Sequence, residues 1–205
     1  MYIFSLILLA AISLCNAALI KSAENREPGP VPVPPEEYPI YDVVVQSKFL
    51  TSRTKLVMID RLTVTRVTPD ENPISRGFFQ ENRFFEGALS PALVTDFLWK
   101  AVRPSRLEPR FNFGVAYRLI SGEGDDDLEV SAAPLPAALL PADIPPPTIG
   151  VLKFSRVAFS PREDQALVYV GDHRQDGTGA GFLVLLRRKG SVWEITDTEV
   201  IWTVR

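Results

Sequence analysis

The chain has 205 residues, of which 46% are hydrophobic and 23% charged, which is the composition of a globular protein with one domain of ordinary size. Its formal net charge of −3 argues against general nucleic-acid binding, which needs a basic surface to displace counterions from phosphates. The single cysteine, Cys15, lies near the N-terminus. The rest of the chain therefore offers no disulfide, thiol nucleophile or cysteine metal site.

Residues 1–18 have the pattern of a secretory signal peptide. An apolar run over residues 2–14 is followed by the small residues Ala17 and Ala18. One alternative is an uncleaved membrane anchor over residues 1–20, which is just long enough to span a bilayer. Another is lipidation of Cys15, because "ISLC" loosely resembles a bacterial lipobox. Each alternative predicts an exported protein, periplasmic or secreted, that contacts a membrane only through this anchor or lipid.

Residues 19–35 predict a proline-rich spacer between the signal peptide and a single folded domain over residues 36–205. Proline fixes φ and favours extended polyproline II, so this segment is expected to be stiff. The domain is expected to begin with a helix, because Ile40 and Val44 share one helical face with Tyr41 and Val45 beside them. The following run over residues 55–67 is rich in β-branched residues and predicts a long strand.

The best-defined helix is predicted over residues 90–104. Ser90 suits the N-cap, Pro91 suits the first helical position and Pro104 ends the pattern. Residues 111–120 then alternate apolar and other side chains, which predicts a half-buried strand. Residues 123–148 are acidic and then proline-rich, and they predict an insertion without regular structure.

From Val151 to the C-terminus the sequence predicts an antiparallel meander of strands. Pro161 suits the second position of a type I turn, and Gly190 suits a turn position with positive φ. The fold class predicted is therefore α+β, with two helices covering one face of a curved, mostly antiparallel sheet. A cystatin-like arrangement, in which such a sheet wraps on a helix, is one form that this element order can take.

Four segments carry a family resemblance over about residues 38–205. They are "YPIYDVVVQSKFL", "FSRVAFSPREDQALVYVG", "GAGFLVLL" and "VWEITDTEVIWTV". Together they resemble a family of uncharacterised bacterial exported proteins, in which a glycine-rich loop joins two strands. The resemblance implies an exported single domain and no particular reaction. In those relatives the loop carries two cysteines, which imply a disulfide; the corresponding positions here are Arg174 and Thr178.

The glycine-rich loop "DHRQDGTGAG" holds Asp172 and the only histidine, His173. It matches neither phosphate-binding glycine motif, and it leads into a strand rather than a helix N-terminus. Asp172, His173 and Asp176 could approach a metal ion, but their spacing fits no calcium loop and one histidine is insufficient for a typical zinc site. A structural hairpin is the favoured interpretation, and no metal or cofactor is predicted.

A second candidate is the stretch "RGFFQENRFFEG", residues 76–87. Its phenylalanines either plug a loop into the core, which is favoured, or hold an apolar ligand. The candidate ligand-binding residues are therefore Phe78, Phe79, Phe84, Phe85, Asp172 and His173.

No catalytic motif is present, since one histidine and no G-x-S-x-G leave serine hydrolysis without support. Asp60 lies inside an apolar strand, where an ion pair with Arg61, Arg118 or Arg156 is favoured over catalysis. The main hypothesis is a non-catalytic binding or structural module whose partner is a small molecule or an envelope protein. The alternative is a cell-envelope hydrolase with Asp60 or Asp172 beside His173.

Overall fold

The chain forms three α-helices and seven strands in the residues that the computed structural model describes, which are 29–69, 74–121, 149–174 and 176–205. The helices are α1 (Tyr38–Lys48), α2 (Arg76–Asn82) and α3 (Pro91–Lys100). The strands are β1 (Leu56–Asp60), β2 (Ala116–Ile120), β3 (Val151–Phe154), β4 (Ala158–Phe159), β5 (Gln165–His173), β6 (Gly179–Lys189) and β7 (Val192–Val204). Cys15, the predicted signal peptide and the predicted insertion at 123–148 lie outside the described residues.

All seven strands belong to one sheet in the order β2-β1-β3-β5-β6-β7, with β4 paired to β5 beyond the end of β3. The strands β2, β1 and β3 pair in parallel, and every other pairing is antiparallel. The predicted class is confirmed: the fold is α+β, with a curved, mostly antiparallel sheet and a C-terminal meander.

Helices cover both faces of this sheet, whereas the sequence predicted that they would cover one. On one face, which we call the α1 face, α1 buries Ile40 and Val44 in a core that also includes Val168 and Val184. On the other face, α3 buries Leu93 and Phe97 against other strand residues, including Leu167 and Leu183. Because helices pack on both faces, β5 is buried along nearly its whole length. In a cystatin-like arrangement the sheet wraps on one helix, whereas here helices pack on both faces of the sheet.

The first helix is confirmed within the predicted region. Ile40, Tyr41, Val44 and Val45 are all fully buried. The valine run is helical despite its β-propensity, because burying this face outweighs the small intrinsic preference.

The strand predicted over residues 55–67 ends at Asp60, seven residues early. The Asp60 Oδ1 atom accepts a hydrogen bond from the Leu62 N–H at 3.0 Å, which is a turn that aspartate side chains stabilise. Beyond it the chain leaves the sheet, and Thr63 N donates to Ser105 O at 2.9 Å.

The strand predicted over residues 111–120 forms only from Ala116 onward. Gly114 has a φ of 86°, which is incompatible with a strand and turns the chain just before β2. Phe111 and Phe113 are nevertheless buried, so the apolar alternation correctly identified core residues although it misplaced the start of the strand.

Three local predictions about helix and turn chemistry are confirmed. Ser90 caps α3, because its Oγ atom accepts from the Leu93 N–H at 3.2 Å. Pro161 occupies the second position of a turn in which Glu163 N donates to Ser160 O at 2.8 Å. Gly190 connects β6 and β7 with a φ of 62°.

The compact unit begins at Pro32, within the proline-rich segment. Val33 is 2% exposed, and its N–H donates to Arg106 O at 2.9 Å. The end of this segment is therefore part of the core.

Candidate functional site

The α2–α3 cleft is a cavity of about 360 Å³ between these helices and the chain that joins them. Ser75 caps α2, because its Oγ atom accepts from the Phe78 N–H at 3.2 Å. The residues that line the cleft are Arg76, Phe79, Gln80, Arg83, Phe84, Gly87, Leu89, Pro91 and Val94.

The phenylalanines of this stretch pack as a cluster. Phe79, Phe84 and Phe85 are less than 9% exposed, and Phe78 is partly buried against them. The ring centroids of Phe79 and Phe97 lie 5.7 Å apart in an edge-to-face contact that ties α2 to α3. The core-plug interpretation is therefore correct for three of the four, while Phe79 and Phe84 also line the cleft.

The charged groups known to line the cleft are positive. Arg76 and Arg83 line it, and among the residues that the structure describes no carboxylate does. Arg76 Nη2 donates to Thr95 Oγ1 at 2.8 Å, which fixes that guanidinium against α3. An apolar floor beneath two guanidinium groups can hold a molecule that has both an apolar part and an anionic group.

The backbone that closes the cleft is strained. Arg83, Phe85 and Glu86 have φ values of 48°, 54° and 55°, in the left-handed region that non-glycine residues rarely adopt. The Phe85 N–H donates to Glu199 Oε1 at 2.9 Å, which anchors the segment to β7. Sequence reasoning missed Glu199, because nothing local marks a residue that acts on a segment so distant in the chain.

The segment predicted as a glycine-rich loop contains a short turn and the first residues of strand β6. The turn itself is short: Arg174 N donates to Thr178 O at 3.0 Å, and Gly177 N donates to Arg174 O at 3.1 Å. Arg174 and Thr178 are thus paired by a backbone hydrogen bond. Gly179 and Gly181, by contrast, belong to β6 and pair with β5.

Asp172 and His173 lie on opposite faces of the sheet, as neighbours in a strand must. Asp172 is buried on the α1 face, where its Oδ1 accepts from Gly150 N at 2.6 Å and its Oδ2 lies 3.3 Å from Arg174 Nη2. It lines an open groove of about 620 Å³ between the end of α1 and the turn. Lys48 also lines this groove, and partial burial lowers its pKa.

His173 lies on the other face, against Trp202. Their ring centroids are 5.1 Å apart, and partial burial and the charge of Lys153 lower the pKa of the imidazole. The structure therefore does not unite the predicted residues: the phenylalanine cluster, Asp172 and His173 occupy three places.

Asp60 forms an ion pair with Lys153, with 3.9 Å between Oδ2 and Nζ, and Lys153 is not among the three predicted partners Arg61, Arg118 and Arg156. Arg156 instead binds the buried carboxylate of Glu37, with Nη2 to Oε1 at 2.6 Å and Nε to Oε1 at 2.9 Å. Asp60 and His173 lie on the same face of the sheet, and Lys153 interacts electrostatically with both of them.

Glu37 is the centre of a polar network that sequence reasoning missed. It is 1% exposed, and its Oε2 accepts from Val157 N at 2.8 Å and from the Tyr41 hydroxyl at 3.0 Å. With Tyr41 Oη also 3.0 Å from Ser155 O, the network holds the irregular segment between β3 and β4. Ser155, Arg156 and Val157 thus have a structural role here.

Glu37 and Asp96 both line a polar cleft of about 590 Å³, which is where paired acids of a hydrolase could lie. Asp96 Oδ2, however, accepts from Phe159 N at 2.8 Å and lies 2.8 Å from Lys100 Nζ. With Glu37 engaged as described, both carboxylates are committed to the fold.

Within the described ranges, no three His, Cys, Asp or Glu residues are grouped so as to hold a metal ion. Among those same residues, no helix is both long and apolar enough to cross a lipid bilayer. The chain matches no protein-family model, no curated protein and no solved structure with which it was compared.

Proposed function

We propose that the protein is an exported, non-catalytic binding module that holds a small amphipathic acid in the α2–α3 cleft. Export is supported by the apolar segment and small residues at 1–18 and by the resemblance to bacterial exported proteins. A chain that begins at Ala18 or Leu19, or at a lipid-bearing Cys15, is the expected form from the native host. Mass spectrometry would contradict export if it found intact Met1 in the cytoplasmic fraction.

The observation that carries the binding proposal is that two arginines lie over an apolar floor, with no carboxylate among the lining residues that the structure describes. The free energy of binding would come from burial of the ligand's apolar part against Phe79, Phe84 and Leu89. Selectivity for an acid would come from charge-assisted hydrogen bonds to Arg76 and Arg83. The cleft volume of about 360 Å³ suits a small molecule rather than a folded partner.

The hydrolase alternative has less support. Asp60 has Lys153 as its ion-pair partner, and Asp172 is buried on the opposite face from His173. The carboxylates of Glu37 and Asp96 already accept backbone N–H groups.

The test uses octanoate and 1-octanol, which share a chain length and differ in charge. We expect isothermal titration calorimetry to give tighter binding of octanoate by about tenfold or more, because a hydrogen bond to a charged group contributes about 1.5–3 kcal/mol. Arg83→Gln should remove most of this difference. Arg103→Gln is the matched control, since Arg103 is exposed and does not line the cleft.

Two results would contradict the proposal. One is equal binding of octanoate and 1-octanol by the unmodified protein. The other is octanoate binding that Arg83→Gln and Arg103→Gln weaken equally, since the anion would then respond to overall charge rather than to the cleft.

A further inference from the structure

The indole of Trp202 lies on a floor of glycines. A Cβ atom built on Gly181 would overlap Trp202 Nε1, and one built on Gly179 would lie 3.3 Å from the ring atoms Cζ3 and Cη2. A ring that contacts two glycines of one strand lies flat along the sheet. Its other side therefore points away from the sheet, and the residue as a whole is partly exposed.

The position of this ring is fixed from several sides. Its Nε1 donates to Tyr169 Oη at 3.2 Å, and the His173 ring lies alongside at 5.1 Å. The register of β6 and β7 shifts between Gly181 and Phe182, which brings Trp202 opposite Gly181. A ligand would thus meet a ring that is already ordered, so binding would cost little side-chain entropy.

Charged groups continue this surface across the neighbouring strands. Lys153 on β3 is paired with Gly171, which is paired in turn with Gly181. The side chains of Lys153 and Asp60 are 36% and 15% exposed, and they lie 3.9 Å apart. From the strand of Gly181 to that of Lys153 is two strand spacings, or about 10 Å.

We propose that this face, the Trp202 platform (Trp202, His173, Lys153 and Asp60), binds an oligosaccharide. The C–H groups on one side of a pyranose ring carry partial positive charge and stack on the electron-rich face of an indole. The hydroxyls of the next sugar need donors and acceptors at the edge of that platform. Lys153 donates, Asp60 accepts, and neutral His173 can do either.

Other ligands fit this face less well. A nucleic-acid strand also stacks on aromatic rings, but it needs a basic groove along its phosphates. Here Asp60 lies beside Lys153, and the chain carries a net charge of −3. None of the four platform residues lines the α2–α3 cleft, so this inference does not depend on the proposed function.

The test uses the full chain and a panel of soluble oligosaccharides: cellotetraose, maltotetraose and chitotetraose. We expect calorimetry and saturation-transfer NMR to detect binding of at least one of them. Lys153→Gln should weaken that binding about tenfold, as loss of one hydrogen bond to a charged group does. Trp202→Ala should abolish it, and Trp202→Phe, which keeps an aromatic ring, should retain part of it.

Trp99→Ala is the matched control, because Trp99 is 74% exposed on α3 and lies outside the platform. It should bind as the unmodified protein does, and so should Arg83→Gln. The proposal fails if no panel member binds, or if Lys153→Gln and Trp202→Phe both bind as tightly as the unmodified protein. Trp202-dependent binding of oligothymidylate without binding of any sugar would also overturn it.

Discussion

Glycine has two different roles in the β5–β6 hairpin, and single substitutions separate them. Gly177 has a φ of 81° with no atom within 4 Å of a built Cβ, so it serves the turn alone. Gly181 is a strand residue whose missing side chain leaves room for Trp202.

Gly177→Ala should lower the free energy of unfolding by about 1 kcal/mol, the cost of left-handed backbone for a residue with a Cβ. Gly181→Ala should cost about 1–3 kcal/mol, because Trp202 must move. In ¹⁵N–¹H spectra, Gly181→Ala should shift the indole resonance of Trp202, and Gly177→Ala should leave it in place. An unmoved Trp202 resonance in Gly181→Ala would contradict the close packing described here.

His173 should make stability depend on pH in a defined direction. Burial and Lys153 lower its pKa in the folded protein, while Asp172 and Asp60 oppose this more weakly. The unfolded chain then binds a proton near pH 6.5 while the folded chain resists it. Stability is complete above about pH 6.5 and is lost as the pH falls from there to the folded pKa.

Chemical denaturation of the unmodified protein and of His173→Gln measures this effect. We expect the free energy of unfolding of the unmodified protein to fall relative to the variant as the pH drops below about 6.5. A difference that is constant from neutral pH to pH 5, or that changes in the opposite sense, would show that the folded pKa is not lowered.

At the scale of elements, the segment that closes the α2–α3 cleft has a strained backbone that lowers the stability of the fold and holds Arg83 beside the cleft. Arg83 is held at a φ of 48° beside the cleft. Arg83→Gly should raise the free energy of unfolding by about 1 kcal/mol, because relief of strain exceeds the added entropy of the unfolded chain. The same change should weaken octanoate binding about tenfold, through loss of the guanidinium.

Glu163→Gly is the control for this effect. Glu163 has a φ of 53° in the turn before β5 and does not line the α2–α3 cleft. It should gain similar stability and bind octanoate unchanged. If Arg83→Gly binds octanoate as tightly as the unmodified protein, the strained conformation of Arg83 does not serve ligand binding.

Local chemistry accounts for what the sequence predicted well. The cap at Ser90, the turn at Pro161 and the apolar faces of α1 and α3 each depend on residues a few positions apart. The early end of β1 was missed because the Asp60 Oδ1 atom accepts a hydrogen bond from the Leu62 N–H, which no hydrophobic pattern indicates. The parallel pairing of β2, β1 and β3 was missed because strand order is decided by tertiary packing.

The candidate sites follow the same division. Arginine and phenylalanine in residues 76–87 marked the α2–α3 cleft, since composition alone draws attention to such a stretch. The Trp202 platform could not be predicted, because it requires the register of β5, β6 and β7 as well as a bulge.

For the whole molecule, both proposed binding surfaces lie on one side of the sheet. The phenylalanine cluster and Tyr169 belong to the same core, opposite the α1 face. The α1 face holds the larger core, which includes Val33, Tyr41 and the strands on which α1 packs. One side of the sheet thus supplies most of the packing, and the other carries polar groups and exposed rings.

The Glu37–Arg156 ion pair joins residues 119 positions apart, and this separation has a consequence for folding kinetics. Contacts that close so long a loop are expected to form late, after the folding transition state. Glu37→Gln should cost about 3 kcal/mol or more, because Arg156 is left without its buried counter-charge.

Nearly all of that loss should appear as faster unfolding, by about 100-fold, with refolding almost unchanged. Stopped-flow chevron plots measure both rates, and Arg106→Gln, which breaks the partly exposed pair with Glu108, should change neither. If refolding slowed instead, Glu37 would have to meet Arg156 before the transition state. Otherwise the ion pair slows unfolding without affecting folding, so it sets the lifetime of the folded molecule rather than the rate at which it forms.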